Sequence, residues 1–206
     1  MIAALVRIAV WALAGLAAGA LAALLVLPEA RDRLFPSSTM KTTGEALIGG
    51  PFALTDHTGR RVTDAAFRGR TLLVLFGYTS CPDMTPSALQ VLSAALDRLG
   101  AKAARFAPVL ITVDPEHDTP ARLAPYVARF HPRLVGLTGT PAEIARVLEA
   151  YRIRSVRRRD DPSSPAGYTI DHPARIYVMG GDGRFRTLLT PAAGVDTVTA
   201  SLKSLL

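Results

Sequence analysis

Hydrophobic positions along the chain fall into one unbroken block followed by two alternating rhythms. Residues 8–27 carry no charged side chain, the length of apolar chain needed to cross a bilayer core. The block ends in Val26-Leu27-Pro28-Glu29, without the small-residue exit of a cleaved signal peptide. An uncleaved transmembrane anchor is therefore expected over 8–27, behind a short flank at 1–7. Residues 28–48 turn polar around Pro36-Ser37-Ser38-Thr39 and read as a linker, with folded structure expected over 49–206.

Inside that region the first rhythm is short and alternating. Phe52 and Leu54 alternate with smaller neighbours, Asp56-His57-Thr58-Gly59 is turn chemistry, and Arg61-Val62-Thr63 resumes: a hairpin signature. Residues 71–76 form a continuous apolar run, as in a strand covered on both faces. The second rhythm is helical. Leu89, Leu92, Ala95, Leu96 and Leu99 predict a helix over 86–99, stopped by Gly100. A strand follows over 106–113, then Thr119-Pro120 caps and opens a helix through Phe130. A short strand at 134–137 precedes a helix opened by Thr140-Pro141 and running to about Tyr151. Residues 175–179 and 184–189 flank Gly181-Asp182-Gly183 as a second hairpin, and 194–206 closes with a helix. This order predicts an α/β fold, a mixed sheet with helices on both faces.

Charge changes the picture little. The 206 residues carry a net charge of +7, but the basic residues are not interleaved with stacking aromatics, so no nucleic-acid partner is expected. Arg7 precedes the apolar block while Arg31, Arg33 and Lys41 follow it. That count does not favour export of the C-terminal part. The arginines at 152, 154, 157, 158 and 159 read as a solvated loop.

Candidate chemistry centres on Cys81, the one cysteine of the chain. It follows the 71–76 strand and precedes a helix, the sheet edge where open α/β folds build their sites. A thiol near a helix N-terminus is biased toward thiolate. The competing reading is a buried small hydrophobe, against which stand the flanking Pro82 and Pro86. A single cysteine excludes an intramolecular disulfide.

Gly49-Gly50-Pro51-Phe52-x-Leu54-x-Asp56-x-x-Gly59, Phe67-Arg68-Gly69-Arg70 and Phe76-Gly77-Tyr78-Thr79-x-Cys81-Pro82-Asp83 together resemble the Sco/SenC family. Thr112-Val113-Asp114-Pro115-Glu116-His117-Asp118-Thr119-Pro120, Gly136-Leu137-Thr138-Gly139-Thr140 and Asp171-His172 continue the likeness in family order. The resemblance implies a thioredoxin-like domain on an N-terminal membrane anchor, facing the periplasm or the mitochondrial intermembrane space. It also implies a role in assembling the copper centre of cytochrome c oxidase, with that enzyme's copper-bearing subunit or other copper-assembly proteins as partners. Family members hold copper through two cysteines spaced C-x-x-x-C and a distant histidine. Cys81 matches the first cysteine and His172 the histidine, whereas the second cysteine position is Thr85.

The departure matters because Cu(I) selects soft thiolates, and a threonine hydroxyl is a hard, weak substitute. Met84 offers a thioether that could serve as an auxiliary donor, against a reading as ordinary apolar packing. His117 sits where the family commonly has arginine and could also assist, against a reading as an exposed loop histidine. Asp171 is a candidate to orient the His172 ring or simply to cap the turn. His57 and His131 have structural readings only. Asp114, Glu116 and Asp118 cluster, which by itself is weak ground for hard-metal binding.

Three functions compete. The first is a metallochaperone-like protein, not an enzyme, that binds Cu(I) weakly or transiently through Cys81 and His172. The second is a single-thiol protein that forms mixed disulfides without metal. The third is a tethered binding module that has lost the copper site. A one-cysteine peroxidase ranks below these, since the threonine expected three residues before its cysteine is Tyr78.

Overall fold

The structure, a computed structural model, describes residues 48–159 and 167–206, together with Trp11. The expected anchor and nearly all of the linker lie outside the described residues. Among the described residues no helix is long and apolar enough to cross a membrane.

Among the described residues from 48 on, nine strands and four α-helices follow in chain order. The first hairpin is β1 (Ala53–Asp56) and β2 (Arg61–Thr63). Then come β3 (Thr71–Gly77), α1 (Met84–Leu99), β4 (Phe106–Thr112), α2 (Pro120–Val127), β5 (Val135–Thr138) and α3 (Pro141–Ala150). The C-terminal part holds β6 (Val156–Arg159), β7 (Tyr168–Asp171), β8 (Ile176–Met179), β9 (Phe185–Leu189) and α4 (Gly194–Lys203). Seven strands make one sheet in the order β2-β1-β5-β4-β3-β8-β9, and β6 and β7 form a separate ribbon. Strands β3, β4 and β5 are parallel, flanked by antiparallel neighbours on both sides, which is the mixed α/β sheet expected from the element order.

Strand β3 shows why its apolar run is unbroken. Leu72, Val74, Phe76 and Tyr78 enter one core with Ile144, Leu148, Tyr151 and Ile170. Leu73 and Leu75 enter the other with Leu89, Leu92 and Leu96 of α1 and Leu123 of α2. Successive side chains of a strand point to opposite faces, so a strand buried on both sides must be apolar throughout. Each such Leu or Phe contributes about 1.5–3 kcal/mol through burial.

Helix ends follow local chemistry unevenly. Thr140 and Glu143 form a reciprocal capping box at the start of α3. Thr119 precedes Pro120 as expected, yet its side chain makes no capping bond. Helix α2 also stops at Val127, where the chain tightens into Arg129 N–H to Tyr126 O and Phe130 N–H to Val127 O turns.

The expected arginine loop is a correction. Val156–Arg159 is a strand, paired in register with Tyr168–Asp171. Charge holds the ribbon to the body: Arg157 reaches Asp114 and Glu116 at 3.4 Å each and lies 3.8 Å over the Tyr168 ring. The Tyr168 hydroxyl donates to the Asp114 carboxylate.

Candidate metal centre

Topology brings the two matched residues together. Cys81 follows the carboxyl end of β3. Strand β8 runs antiparallel to β3 and pairs Ile176 with Leu75, so its beginning lies at that same edge. His172 stands just ahead of β8, on the segment leaving β7, and the His172–Pro173 bond is trans, since no peptide bond among the described residues is cis.

Thr85 occupies the space between them. It is 1% exposed, its N–H donates to Cys81 Sγ at 3.4 Å, and its Oγ1 lies 3.4 Å from His172 Nε2. The same oxygen accepts the Tyr78 N–H at 3.4 Å. Gly77 makes room for this side chain: a Cβ there would stand 2.5 Å from Thr85 Oγ1. Side chains 81, 85 and 172 therefore converge on one point. Two are soft or borderline donors, and the third is a hydroxyl already engaged by a backbone N–H.

Burial pushes the Cys81 thiol up. Hydrogen bonding to His172, to the Thr85 hydroxyl and to the Thr85 and Asp83 N–H groups outweighs it and brings the thiol down to about 7. The first turn of α1 thus supplies the thiolate-favouring donors expected of a helix N-terminus. His172 is 7% exposed, and its Nδ1 is buried with no hydrogen-bond partner among the described residues. Leaving such a nitrogen unpaired costs about 1–3 kcal/mol. A thiolate and an imidazole whose Nε2 faces the same space fit a soft monovalent cation of low coordination number. They do not make a closed site, and no three His, Cys, Asp or Glu residues gather as a metal-holding group among the described residues.

The remaining candidates are placed elsewhere. Asp171 turns away from the imidazole and pairs with Arg158 at 2.6 Å, because neighbouring residues of an extended chain face opposite sides. Among the described residues no hydrogen bond joins it to the ring. Met84 opens α1 with 41% of its surface exposed, so it is not packed in the core. The half-buried His117 ring meets Tyr168 edge-on at 6.1 Å and is not brought into the pair. His57 accepts the Gly136 N–H and His131 accepts the Arg133 N–H through Nδ1, both structural tasks.

Two residues at the site escape sequence reasoning. Asp118 is fully buried and accepts the Thr79 N–H at 3.0 Å, the Thr112 hydroxyl at 2.6 Å and the Thr79 hydroxyl, so it pins the segment that leads into Cys81. Burial raises its carboxyl above the ordinary range despite those bonds. Tyr78 is 1% exposed, with its ring edge-on to His172 at 5.7 Å. The sequence marks it only as a residue of the Phe76-Gly77-Tyr78-Thr79-x-Cys81 motif, with no role at the site.

A family model described as SCO1/SenC matches residues 40–206. The chain is 41% identical over 145 residues to the human protein SCO1 homolog, mitochondrial, across 69% of this chain and 47% of that one. It therefore spans about half the length of that relative. To the protein SCO2 homolog, mitochondrial, of Bos taurus it is 38% identical over 201 residues, 96% of this chain and 74% of that one. Among solved structures, Bradyrhizobium japonicum ScoI with copper bound matches with a TM-score of 0.70 and 42% identity, covering 77% of this chain and 99% of that one. Arabidopsis thaliana ScoI with copper bound matches with a TM-score of 0.71 and 36% identity, over 77% and 97%.

Proposed function

The chain belongs to the SCO1/SenC family and has its thioredoxin-like fold, and from that premise we propose that it handles Cu(I) as cargo, held weakly or transiently by Cys81 and His172. The observation that carries this reading is the convergence on Thr85, whose N–H meets Cys81 Sγ and whose Oγ1 faces His172 Nε2, each at 3.4 Å. A thiolate and an imidazole remain where a second thiolate is missing. Copper bound in similar solved structures supports the identity of the metal.

In this account the protein acts in assembly of the copper centre of cytochrome c oxidase, with the copper-bearing subunit or another copper-assembly protein as partner. Residues 8–27 anchor it in the membrane, and the domain faces the periplasm or the mitochondrial intermembrane space. The exposed Met84 thioether at the mouth is an auxiliary donor for cargo entering or leaving. Low coordination serves transfer, since an incoming donor meets an open position on the ion.

The test is a titration of the full chain in detergent with Cu(I) against a competing chelator. Cys81→Ala and His172→Ala are each expected to abolish measurable binding. Equal binding by wild type and Cys81→Ala overturns the reading. The thiol at about 7 favours one second reading, in which Cys81 forms mixed disulfides with a client. Trapped conjugates that vanish in Cys81→Ala, in a protein that binds no Cu(I), would select it.

A further inference from the structure

The Tyr78 hydroxyl has no part in the account above, yet Tyr78 meets both halves of the site through its side chain and its backbone. Tyr78 directly follows β3 and is buried. Its phenol oxygen accepts the N–H of Ile170 at 3.0 Å, a residue of β7, the strand that delivers His172. Its ring stands edge-on to the His172 ring, with centroids 5.7 Å apart and planes at 83°. Its backbone carbonyl accepts the Cys81 N–H at 3.2 Å. Its backbone N–H meets Thr85 Oγ1. One residue thus contacts all three converging positions and the strand behind one of them.

We propose that Tyr78 is a positioning residue, setting how Cys81 and His172 face each other by tying β7 to the end of β3. Asp171 pairs with Arg158, and the His172 Nδ1 is unpartnered. Of the ribbon's attachments to Asp114, Tyr168 lies farther from His172 along β7, and Arg157 pairs in register with Ile170 but from the other strand, β6. Without the phenol oxygen the Ile170 N–H is left without its acceptor in a buried place, and the His172 segment gains freedom to relieve it. The inference rests on the copper reading only for what the pair holds. The positional claim concerns the metal-free protein.

Tyr78→Phe removes one oxygen and keeps the ring. In the full chain in detergent, without metal, the Ile170 amide is expected to exchange about tenfold faster, the loss of roughly one net hydrogen bond. The His172 imidazole nitrogen resonances should shift. With metal, Cu(I) affinity should fall about tenfold by the same measure. Tyr177→Phe, whose ring packs on Phe76 and Tyr151 instead, should move none of the three. Unchanged Ile170 exchange and His172 signals in folded Tyr78→Phe overturn the proposal, as does unchanged affinity where wild type binds. If wild type binds no Cu(I), the copper reading fails while the two metal-free readouts still decide this one. Should Tyr78→Phe not fold, the wild type decides: Ile170 exchange as slow as that of β3 amides supports the tie, and exchange as fast as that of an unprotected amide overturns it.

Discussion

Thr85→Cys puts a sulfur where the structure holds a hydroxyl 3.4 Å from His172 Nε2. Losing a mere partner of a metal ligand changes affinity about 10–100-fold. Supplying a whole thiolate to a site with only one should therefore tighten Cu(I) binding by at least about 100-fold, or about 3 kcal/mol. The cost falls on the metal-free protein. The variant loses the buried Thr85 methyl group and weakens the long Tyr78 N–H bond to Oγ1, together about 1–2 kcal/mol of stability. Affinity should be read by chelator competition under reducing conditions, because the new C-x-x-x-C pair can oxidise. The expected result is a lower denaturation midpoint without copper and a much tighter copper complex. A change in affinity of less than about threefold, well under 1 kcal/mol, would refute the claim that the side chain at 85 faces the metal.

Other consequences are as direct. Cys81 alkylation in the metal-free protein should follow a thiolate midpoint of about 7 instead of the ordinary 9.0. With the folded value depressed, this thiolate contributes stability that is full above the unfolded pKa and is lost as pH falls through about 7. A midpoint at the ordinary thiol value in wild type would contradict this. Gly77→Ala drives a Cβ to 2.5 Å from Thr85 Oγ1 and 2.6 Å from its methyl. It should cost about 1–3 kcal/mol in chemical denaturation, and Thr85→Ala should recover part of that in the double variant; strict additivity would show that the two do not touch. Asp171→Ala should leave Cu(I) affinity unchanged and cost no more than about 1 kcal/mol of stability, since its carboxylate serves an exposed ion pair with Arg158. A large loss of affinity would restore Asp171 as a partner of the imidazole.

What was legible in the chain is what each segment states about itself. The unbroken run of β3 and the spaced leucines of α1 announce two-faced burial and an amphipathic helix, and both elements stand where expected. The β6–β7 ribbon does not announce itself. Val156-Arg157-Arg158-Arg159 has no apolar alternation, and its place depends on Tyr168 of its partner strand and on Asp114 and Glu116 from a distant part of the chain. The same holds for Asp118. A carboxylate in an acidic loop reads as solvated until the fold brings Thr79 and Thr112 onto it. Adjacency in sequence misleads at Asp171, because extended chain sends it away from the ring that its neighbour carries. Motif order identified Cys81 and His172, and antiparallel pairing of β8 with β3 is the physical reason they meet.

The central claim is that one thiolate and one imidazole hold the cargo. Copper-edge X-ray absorption on the full chain loaded with one Cu(I) tests it most directly. The account predicts sulfur and imidazole scattering in the first coordination shell of the wild type, and loss of that spectrum in both Cys81→Ala and His172→Ala, which do not hold the ion. Copper bound through oxygen and nitrogen alone in the wild type, or a spectrum indifferent to both substitutions, would contradict it.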